Sequence, residues 1–273
     1  MMTCVIGSYS TYKLTKTCDK SNIEIGRRTR IVESILKQTK KRELKSILVS
    51  DNTNVETAVG DVIRIKNVNI IVYSNFQSNL HISLSQICGY RKLISRIQDV
   101  RKTPYCSEDS EHERQLKCLW HLLRPEEVLD SRFTKQWKKL GFQGTDPKSD
   151  FRGMGILGLQ NLLYFARHYN SKARQILSES EQEYSFAIVG INLTALVCQL
   201  LQENYLKNHF YNTVPGEAQI EDFHKVYTII FCDFHKQWMN DKPGIMNFNP
   251  YKDKYYKRLA KKLKRRDANL LLC

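Results

Sequence analysis

The stretch GFQGTDPKSDFRGMGILGLQNLLYF (residues 141–165) joins a polar, glycine-rich segment directly to an apolar run. Pro147 stiffens the backbone, and the side chains of Ser149 and Asp150 can accept hydrogen bonds from the free N–H groups at the start of a helix. The sequence therefore predicts a rigid corner, followed by a helix that is capped at Ser149 or Asp150 and continues through Phe165.

Arg152 is the residue of this corner that most needs an explanation. It lies close to the start of the predicted helix, where the positive end of the helix dipole disfavours a cation. Two interpretations remain open: the guanidinium pairs with Asp146, Asp150 or another carboxylate of the chain, or it is presented to an anion of another molecule. Gln143 poses a related question, because a glutamine can bond to the backbone of the corner or orient a water molecule.

Apolar residues recur at intervals of three and four along most of the chain, which is the spacing of one helical face. Since no pair of strand partners is present, the pattern predicts an all-α fold of eight or nine helices. The run KNVNIIVYSN (66–75) is interpreted as helix or loop. The predicted helical segments outside the corner are 31–48, 55–63, 84–100, 110–123, 184–207, 220–239 and 249–266.

The chain is interpreted as a single multi-helix domain with a helical lead-in. Residues 1–25 show no clear period, which predicts a poorly ordered leader. Residues 26–104 form a helical N-terminal region, residues 105–266 form the core and end in a basic helix, and residues 267–273 are a tail. No internal repeat or low-complexity linker divides the chain further.

The net charge and the spacing of the cysteines limit the kinds of partner and site that this protein can have. Lysine and arginine number 43 against 28 acidic residues, a net charge of +15, and such a surface favours polyanions, acidic protein faces or anionic lipid. The eight cysteines are scattered without the spacing of a metal site, so we expect reduced thiols, mostly in the core, and a cytoplasmic protein without a bound metal. The apolar window 187–201 is too short and too polar for a membrane span and predicts a buried helix.

Basic residues concentrate near the carboxyl end, in the stretch YKDKYYKRLAKKLKRR (251–266). Three interpretations remain open: a solvated helix face, attraction to an anionic membrane, or nucleic-acid binding. Nucleic acid is not expected, because no RNA-binding signature or helix-turn-helix spacing accompanies the charge. The cations that would contact an anionic surface are Lys257, Arg258, Lys261, Lys262, Lys264, Arg265 and Arg266.

The corner resembles the signature of the ELMO domain, and more narrowly that of the ELMO domain-containing (ELMOD) proteins. The likeness continues through residues 87–105, 184–194 and 210–216, and a serine replaces the usual threonine of the family at position 149. The residues that carry the signature are Trp137, Gly141, Phe142, Gln143, Pro147, Ser149, Asp150, Arg152 and Gly155.

This resemblance implies a function for the corner. ELMOD proteins are GTPase-activating proteins for Arl and Arf small GTPases, and the arginine of the motif, Arg152 here, is the one that their activity requires. The resemblance further implies that the partner GTPase binds GTP and Mg²⁺, that this chain needs no cofactor, and that it acts in membrane traffic, in the cytoplasm or peripherally at organelle membranes. The alternative is a non-catalytic module that binds small GTPases or serves as a scaffold.

Overall fold

The protein, in a computed structural model that describes residues 2–50 and 53–271 and their side chains from residue 9 onward, has an all-α fold, as predicted. No strand occurs in these ranges. Three 3₁₀ helices lie at Lys135–Leu140, Pro147–Gly153 and Ile245–Asn247. The α-helices are α1 (Met2–Asp19), α2 (Ile25–Gln38), α3 (Arg42–Ser46), α4 (Val55–Lys66), α5 (Phe76–Lys102), α6 (Ser110–Leu123), α7 (Gly155–His168), α8 (Asn170–Ser180), α9 (Phe186–Gln202), α10 (Lys207–Thr213), α11 (Ile220–Asp241) and α12 (Phe248–Leu263).

The chain forms two compact units. The first comprises Met1–Ile94, Leu206–Gln219 and Leu263–Asn269, and the second comprises Ser95–Tyr205, Ile220–Lys262 and Leu270–Cys273. This division differs from the predicted one at residues 104 and 105, because the boundary lies inside α5 and because residues 206–219 belong to the first unit. Sequence periodicity follows single elements, whereas a unit boundary depends on contacts between distant segments.

In the first unit, α2 packs against α1, α3 and α10. The prediction of a poorly ordered leader at residues 1–25 was wrong, because α1 occupies most of it. Leu14 and Cys18 of α1 are fully buried, and the hydroxyl of Thr15 bonds back to the carbonyl oxygens of Thr11 and Tyr12. Two of its buried residues in the described part, Thr15 and Thr17, are polar, so the sequence shows no clear apolar period there.

In the second unit, α7 packs against α6, α8, α9 and α11 and carries the corner at its amino end. Phe165, Phe186 and Phe231 meet at its centre, with the ring centroid of Phe231 5.3 Å from that of Phe165 and 5.1 Å from that of Phe186. Helix α9, which contains the apolar window 187–201, is a largely buried core helix, as predicted.

Within the described ranges, no single helix has both the length and the apolar composition that a membrane span requires. One pair of helices, Phe186–Gln202 and Lys207–Thr213, passes the same test only when the two are taken together across the bend between them.

Several predicted helix boundaries are confirmed and others shift. Helix α6 spans Ser110–Leu123 as predicted, and the long apolar stripe 84–100 lies within α5. The segment 184–207 holds α9, which ends at Gln202. Leu270 in the predicted tail 267–273 is buried, whereas residues 272 and 273 lie outside the described residues.

The cysteines behave as reduced thiols, as predicted. Six of them are free, and four of these are buried, namely Cys18, Cys88, Cys198 and Cys232. Burial raises the pKa of the Cys18 and Cys198 thiols to about 12, which suits small core residues better than nucleophiles. The side chain of Cys4 and all of Cys273 lie outside the described residues.

Candidate functional site

The entrance to the corner depends on a glycine. Gly141 ends the 3₁₀ helix Lys135–Leu140 with a φ of 81°, a conformation that favours glycine. A Cβ atom at this position would lie 2.4 Å from the backbone nitrogen of Phe186. Trp137 and Phe142 are buried on either side of Gly141, as predicted, and their rings meet edge to face with centroids 6.0 Å apart. The chain therefore enters the corner along a path fixed by close packing.

The corner itself is the 3₁₀ helix Pro147–Gly153. The Asp146 carboxylate caps it by accepting a hydrogen bond from the Lys148 N–H group at 2.9 Å, and Pro147 occupies the first position, where no N–H group needs a partner. Phe151 is buried, and its ring stacks on that of Tyr105 with centroids 5.3 Å apart. These contacts hold the short helix against the core.

Gly155 fixes the exit from the corner. It adopts a φ of 54°, and a Cβ atom built on it would lie 2.3 Å from the carbonyl oxygen of Thr103 and 2.4 Å from that of Arg101. The next residue, Ile156, donates its N–H group to the same Thr103 oxygen at 2.9 Å. The first turn of α7 therefore lies directly against the end of α5, with no space for a side chain.

Arg152 is exposed at the surface of the corner. Its Nε–H group donates to the carbonyl oxygen of Ser149 at 2.9 Å. Among the described residues, no carboxylate forms an ion pair with this guanidinium, and its two terminal nitrogens have no hydrogen-bond partner. The side chain is thus oriented by the backbone of its own helix, while the end of the planar fork is open to solvent.

The predicted position of Arg152 relative to a helix was wrong. Helix α7 begins at Gly155, and Arg152 lies in the last turn of the preceding 3₁₀ helix. Carbonyl groups point outward at that end of a helix, and the local dipole therefore favours a cation. The electrostatic misfit inferred from the sequence is offset, because the predicted caps Ser149 and Asp150 lie inside the separate 3₁₀ helix and α7 begins only at Gly155.

The ion-pair interpretation of Arg152 is not supported in the structure. Asp150 accepts a hydrogen bond from the backbone N–H group of Gln143 at 2.8 Å, which ties the start of the corner to its helix. Burial raises the pKa of the Asp150 carboxyl, although the Gln143 amide and the positive charge of Arg152 oppose the shift. Asp146 is occupied by its cap and by a second arginine, Arg132.

Ser149 differs from its predicted role as a helix cap. The Gln143 side chain does not bond to the backbone of the corner, and its alternative role of orienting a water molecule stays a prediction. Ser149 caps no helix, and its hydroxyl instead donates to the carbonyl oxygen of Asp146 at 3.4 Å. Gln143 bonds through its backbone N–H group, while its side chain is exposed and has no hydrogen-bond partner in the described ranges. Neither arrangement follows from residue type, because several donors and acceptors compete within a few residues.

Arg132, which the sequence did not identify as part of the site, links the corner to Glu113 of α6. The Nε atom of Arg132 lies 2.7 Å from the Glu113 carboxylate, and one of its terminal nitrogens lies 2.9 Å from Asp146. Tyr105 donates its hydroxyl to Glu113 at 2.6 Å. Burial works to lower the pKa of Arg132, but the hydrogen bonds to Glu113 and Asp146 outweigh it and raise the pKa. No sequence spacing links these residues, since they lie on separate segments.

We expect Arg132→Lys to lower the free energy of unfolding by about 1 to 2 kcal/mol, because lysine keeps the charge but cannot bond to Glu113 and Asp146 at once. Urea denaturation measures this change. Arg114→Lys is the matched control, since Arg114 pairs with Glu111 at 2.7 Å on an exposed helix face, where solvent leaves such a pair little effect on stability. Equal losses in the two variants would contradict a special role of Arg132.

The seven cations near the carboxyl end that were predicted to contact an anionic surface are exposed. Tyr255, Leu259 and Leu263 form a buried stripe on α12, as predicted, but the helix ends at Leu263 instead of Arg266. Of the cations, Arg258 bonds to the side chain of Gln237, and Arg265 pairs with Asp267 at 2.9 Å. The remaining predicted surface cations are Lys257, Lys261, Lys262, Lys264 and Arg266.

The described residues contain no group of three or more histidine, cysteine, aspartate or glutamate side chains placed to hold a metal ion. The chemistry that the corner offers is therefore that of an exposed, oriented guanidinium. Such a group can bond to two oxygens of a phosphate or carboxylate at once.

Several known proteins are similar to this chain in sequence. The model of the ELMO/CED-12 family matches residues 95–252. ELMO domain-containing protein 2 of Bos taurus is 43% identical over 236 residues, which cover 85% of this chain and 80% of that protein. ELMO domain-containing protein 1 of Mus musculus is 38% identical over 284 residues, covering 94% and 87%. ELMO domain-containing protein B of Dictyostelium discoideum is 38% identical over 185 residues, covering 67% and 64%.

The family match starts at residue 95, which is also where the second compact unit starts, and it contains the whole corner with Arg152. The relatives match most of the chain as well. On this evidence the chain belongs to the ELMO/CED-12 family.

Proposed function

We propose that this protein stimulates GTP hydrolysis by a small GTPase of the Arl/Arf type, and that Arg152 enters the nucleotide site of that GTPase. The observation that carries the proposal is the state of Arg152: it is exposed, its Nε–H group is held by the Ser149 carbonyl, and its terminal nitrogens have no partner among the described residues. The resemblance to the ELMOD proteins supports the choice of substrate class.

The chemistry of GTP hydrolysis suits a group of this kind. Negative charge spreads over the phosphoryl oxygens in the transition state, and an arginine supplied by a second protein can accelerate the reaction by about 10³- to 10⁵-fold. That acceleration corresponds to roughly 4 to 7 kcal/mol of transition-state stabilisation. The planar fork of Arg152 offers two parallel N–H donors for those oxygens.

The corner contributes to the proposed reaction by orienting the side chain of Arg152. A free arginine side chain loses much of its rotamer freedom when it binds, whereas Arg152 is already restrained at Nε by Ser149. Donors that are fixed before the reaction stabilise developing charge without a reorganisation cost. No proton needs to move through this protein, because the partner GTPase would bind GTP, Mg²⁺ and the attacking water.

An exposed aromatic side chain beside the corner offers a contact for the partner. Phe133 is 65% exposed, and the guanidinium carbon of Arg132 lies 5.1 Å from its ring centroid. The following residue, Thr134, donates its N–H group to the carbonyl oxygen of Thr145 at 3.1 Å, which holds this segment next to the corner. Large aromatic residues placed in this way often dominate the binding energy of an interface.

We expect Phe133→Ser to raise the concentration of protein needed for half-maximal stimulation by about tenfold, with little change in the maximal rate, because Phe133 contributes to docking and not to the reaction. Titrating the variant against GTP-loaded GTPase measures both quantities. Val49→Ser, which removes an aliphatic side chain that is 73% exposed in the other unit, is the control and should leave both unchanged. A lower maximal rate with unchanged half-saturation would contradict this assignment.

Single-turnover GTP hydrolysis tests the proposed function directly. Purified Arl and Arf proteins are loaded with GTP, and the hydrolysis rate is followed with and without the full chain. At least one GTPase should hydrolyse GTP faster by about a hundredfold or more. Equal rates across the whole panel would overturn the proposal, and binding of the GTP-loaded form without acceleration would identify a non-catalytic binding module instead.

We further propose that the exposed cations at the carboxyl end bring the protein to the cytoplasmic face of organelle membranes. Each basic residue near an anionic surface contributes roughly 1 kcal/mol. The support is charge alone: the seven cations are exposed, although Arg258, Lys264 and Arg265 have interactions within the chain.

A further inference from the structure

A turn between α4 and α5 presents three consecutive aliphatic side chains to solvent. Ile70 is 44% exposed, Ile71 is 90% exposed and Val72 is 65% exposed. The residues on either side of the turn, Val68 and Phe76, are buried and anchor it to the first unit. Single exposed aliphatic residues are common on protein surfaces, but a run of three on one turn marks a surface that is covered in use.

Three backbone N–H groups of this turn are paired within the turn itself. The side-chain oxygen of Asn69 accepts from the N–H groups of Ile71 at 3.1 Å and Val72 at 3.3 Å. The carbonyl oxygen of Asn69 accepts from the Tyr73 N–H group at 3.1 Å. A segment that enters hydrocarbon must pair its backbone groups internally, since no water is available there.

Positive charge gathers next to the turn. A groove of about 890 Å³ runs along α1 and the start of α2. Four exposed cations line it, against one carboxylate, Glu24. These cations are Lys13, Lys16, Lys20 and Arg27. The groove therefore suits an anion, such as the phosphate of a lipid headgroup.

Direct contacts join the groove to the turn. The Lys16 ammonium lies 5.9 Å from the ring centroid of Tyr12, which lines the groove, and 6.0 Å from that of Tyr73 at the end of the turn. Lys66, at the end of α4, donates to the hydroxyl of Ser10 at 2.9 Å. Exposed tyrosines, such as Tyr12, are typical of the boundary between headgroups and hydrocarbon. The aliphatic turn, the tyrosines and the cations thus form one continuous surface.

We propose that this surface docks on an anionic lipid bilayer, with Ile70, Ile71 and Val72 inserted among the acyl chains and Lys13, Lys16, Lys20 and Arg27 at the headgroups. The site uses different residues from the cations at the carboxyl end and does not depend on the role of Arg152. Its combination of apolar insertion and cationic attraction gives two independent signals, as stable peripheral binding requires.

Vesicle flotation with the full-length chain tests the proposal. The chain should bind vesicles of phosphatidylcholine with about 30% phosphatidylserine at least tenfold more tightly than vesicles of phosphatidylcholine alone. Ile71→Ser combined with Val72→Ser should weaken binding to anionic vesicles by at least about tenfold. Lys13→Gln, Lys16→Gln and Lys20→Gln together should weaken it by about a hundredfold. Val49→Ser should change nothing.

Two further experiments distinguish insertion of the turn into the bilayer from electrostatic attraction of the protein to its surface. Ile71→Trp places a fluorophore on the turn, and its emission should shift to shorter wavelength on anionic vesicles. A variant with Lys257, Lys261 and Lys262 changed to Gln tests the carboxyl end. The proposal is overturned if the Ile71→Ser, Val72→Ser protein binds like the wild type, if the tryptophan emission does not shift, or if only the carboxyl-terminal variant loses binding. Wild-type protein that binds neither vesicle would likewise overturn it and favour a protein partner.

Discussion

Arg152→Lys is expected to lower the maximal rate of stimulated GTP hydrolysis by about 100- to 1,000-fold. Lysine keeps the positive charge but has no planar fork, so it cannot offer two parallel N–H donors to a pair of phosphoryl oxygens. It also lacks an Nε–H group at the position where Arg152 bonds to the Ser149 carbonyl, and it therefore loses the orientation that the corner provides. Single-turnover hydrolysis at saturating protein measures the change without interference from product release.

The controls for this variant separate chemistry from binding and folding. Arg174→Lys removes another exposed guanidinium, one that pairs with Glu126 at 2.9 Å on α8, and it should leave the rate within about twofold of the wild type. Arg152→Lys should retain its affinity for the GTP-loaded GTPase and its resistance to urea, since Arg152 is exposed and bonds to one carbonyl group only. A variant that stimulates hydrolysis as well as the wild type would remove Arg152 from the mechanism.

The sequence predicts the flanks of the corner better than its interior. Trp137, Phe142 and Phe165 are buried as their apolar character indicates, and Arg152 is at the surface, which was one of the two open interpretations. The start of α7 was not predictable in the same way. Ser149 and Asp150 are good caps by residue type, but Asp146 caps the corner helix instead, and α7 begins only where Gly155 permits it.

Contacts between distant segments account for most of what the sequence did not predict. Arg132 and Glu113 are separated by nearly twenty residues, and nothing in a helical period brings them together. The burial of Leu14 and Cys18 likewise depends on α2, because α1 has no continuous apolar face of its own. The carboxyl-terminal helix was predicted well, since Tyr255, Leu259 and Leu263 form a stripe within one element.

Gly155→Ala is expected to lower the free energy of unfolding by about 3 kcal/mol. The new Cβ atom would lie 2.3 Å from the Thr103 carbonyl oxygen and 2.4 Å from that of Arg101, and the positive φ of Gly155 adds strain. Both obstructing atoms belong to the backbone, so the contact cannot be relieved by a side-chain rotation. Urea denaturation followed by circular dichroism measures the loss.

Alanine substitutions at two other glycines of the corner separate the steric clash from the conformational strain in this loss of stability. A Cβ atom on Gly153 meets nothing within 4 Å, so Gly153→Ala should change stability by less than about 0.5 kcal/mol. Gly144 has a φ of 70° but equally open surroundings, and Gly144→Ala should therefore cost only the conformational strain, about 1 kcal/mol. Equal losses in all three variants would show that the approach of Gly155 to α5 is not tight.

Gly155→Ala protein that remains folded should also stimulate GTP hydrolysis poorly, because the substitution displaces Arg152 as well as lowering stability. The methyl group can be admitted only if the corner moves away from Thr103 and Arg101, and Arg152 lies three residues before Gly155 on the same rigid segment. A displacement of about 1 Å at a catalytic group can reduce a rate by about a hundredfold. Below the temperature of unfolding, the stimulated rate of Gly155→Ala should therefore fall, relative to the wild type, much further than its folded fraction. In Gly153→Ala, the stimulated rate and the folded fraction should both remain close to those of the wild type.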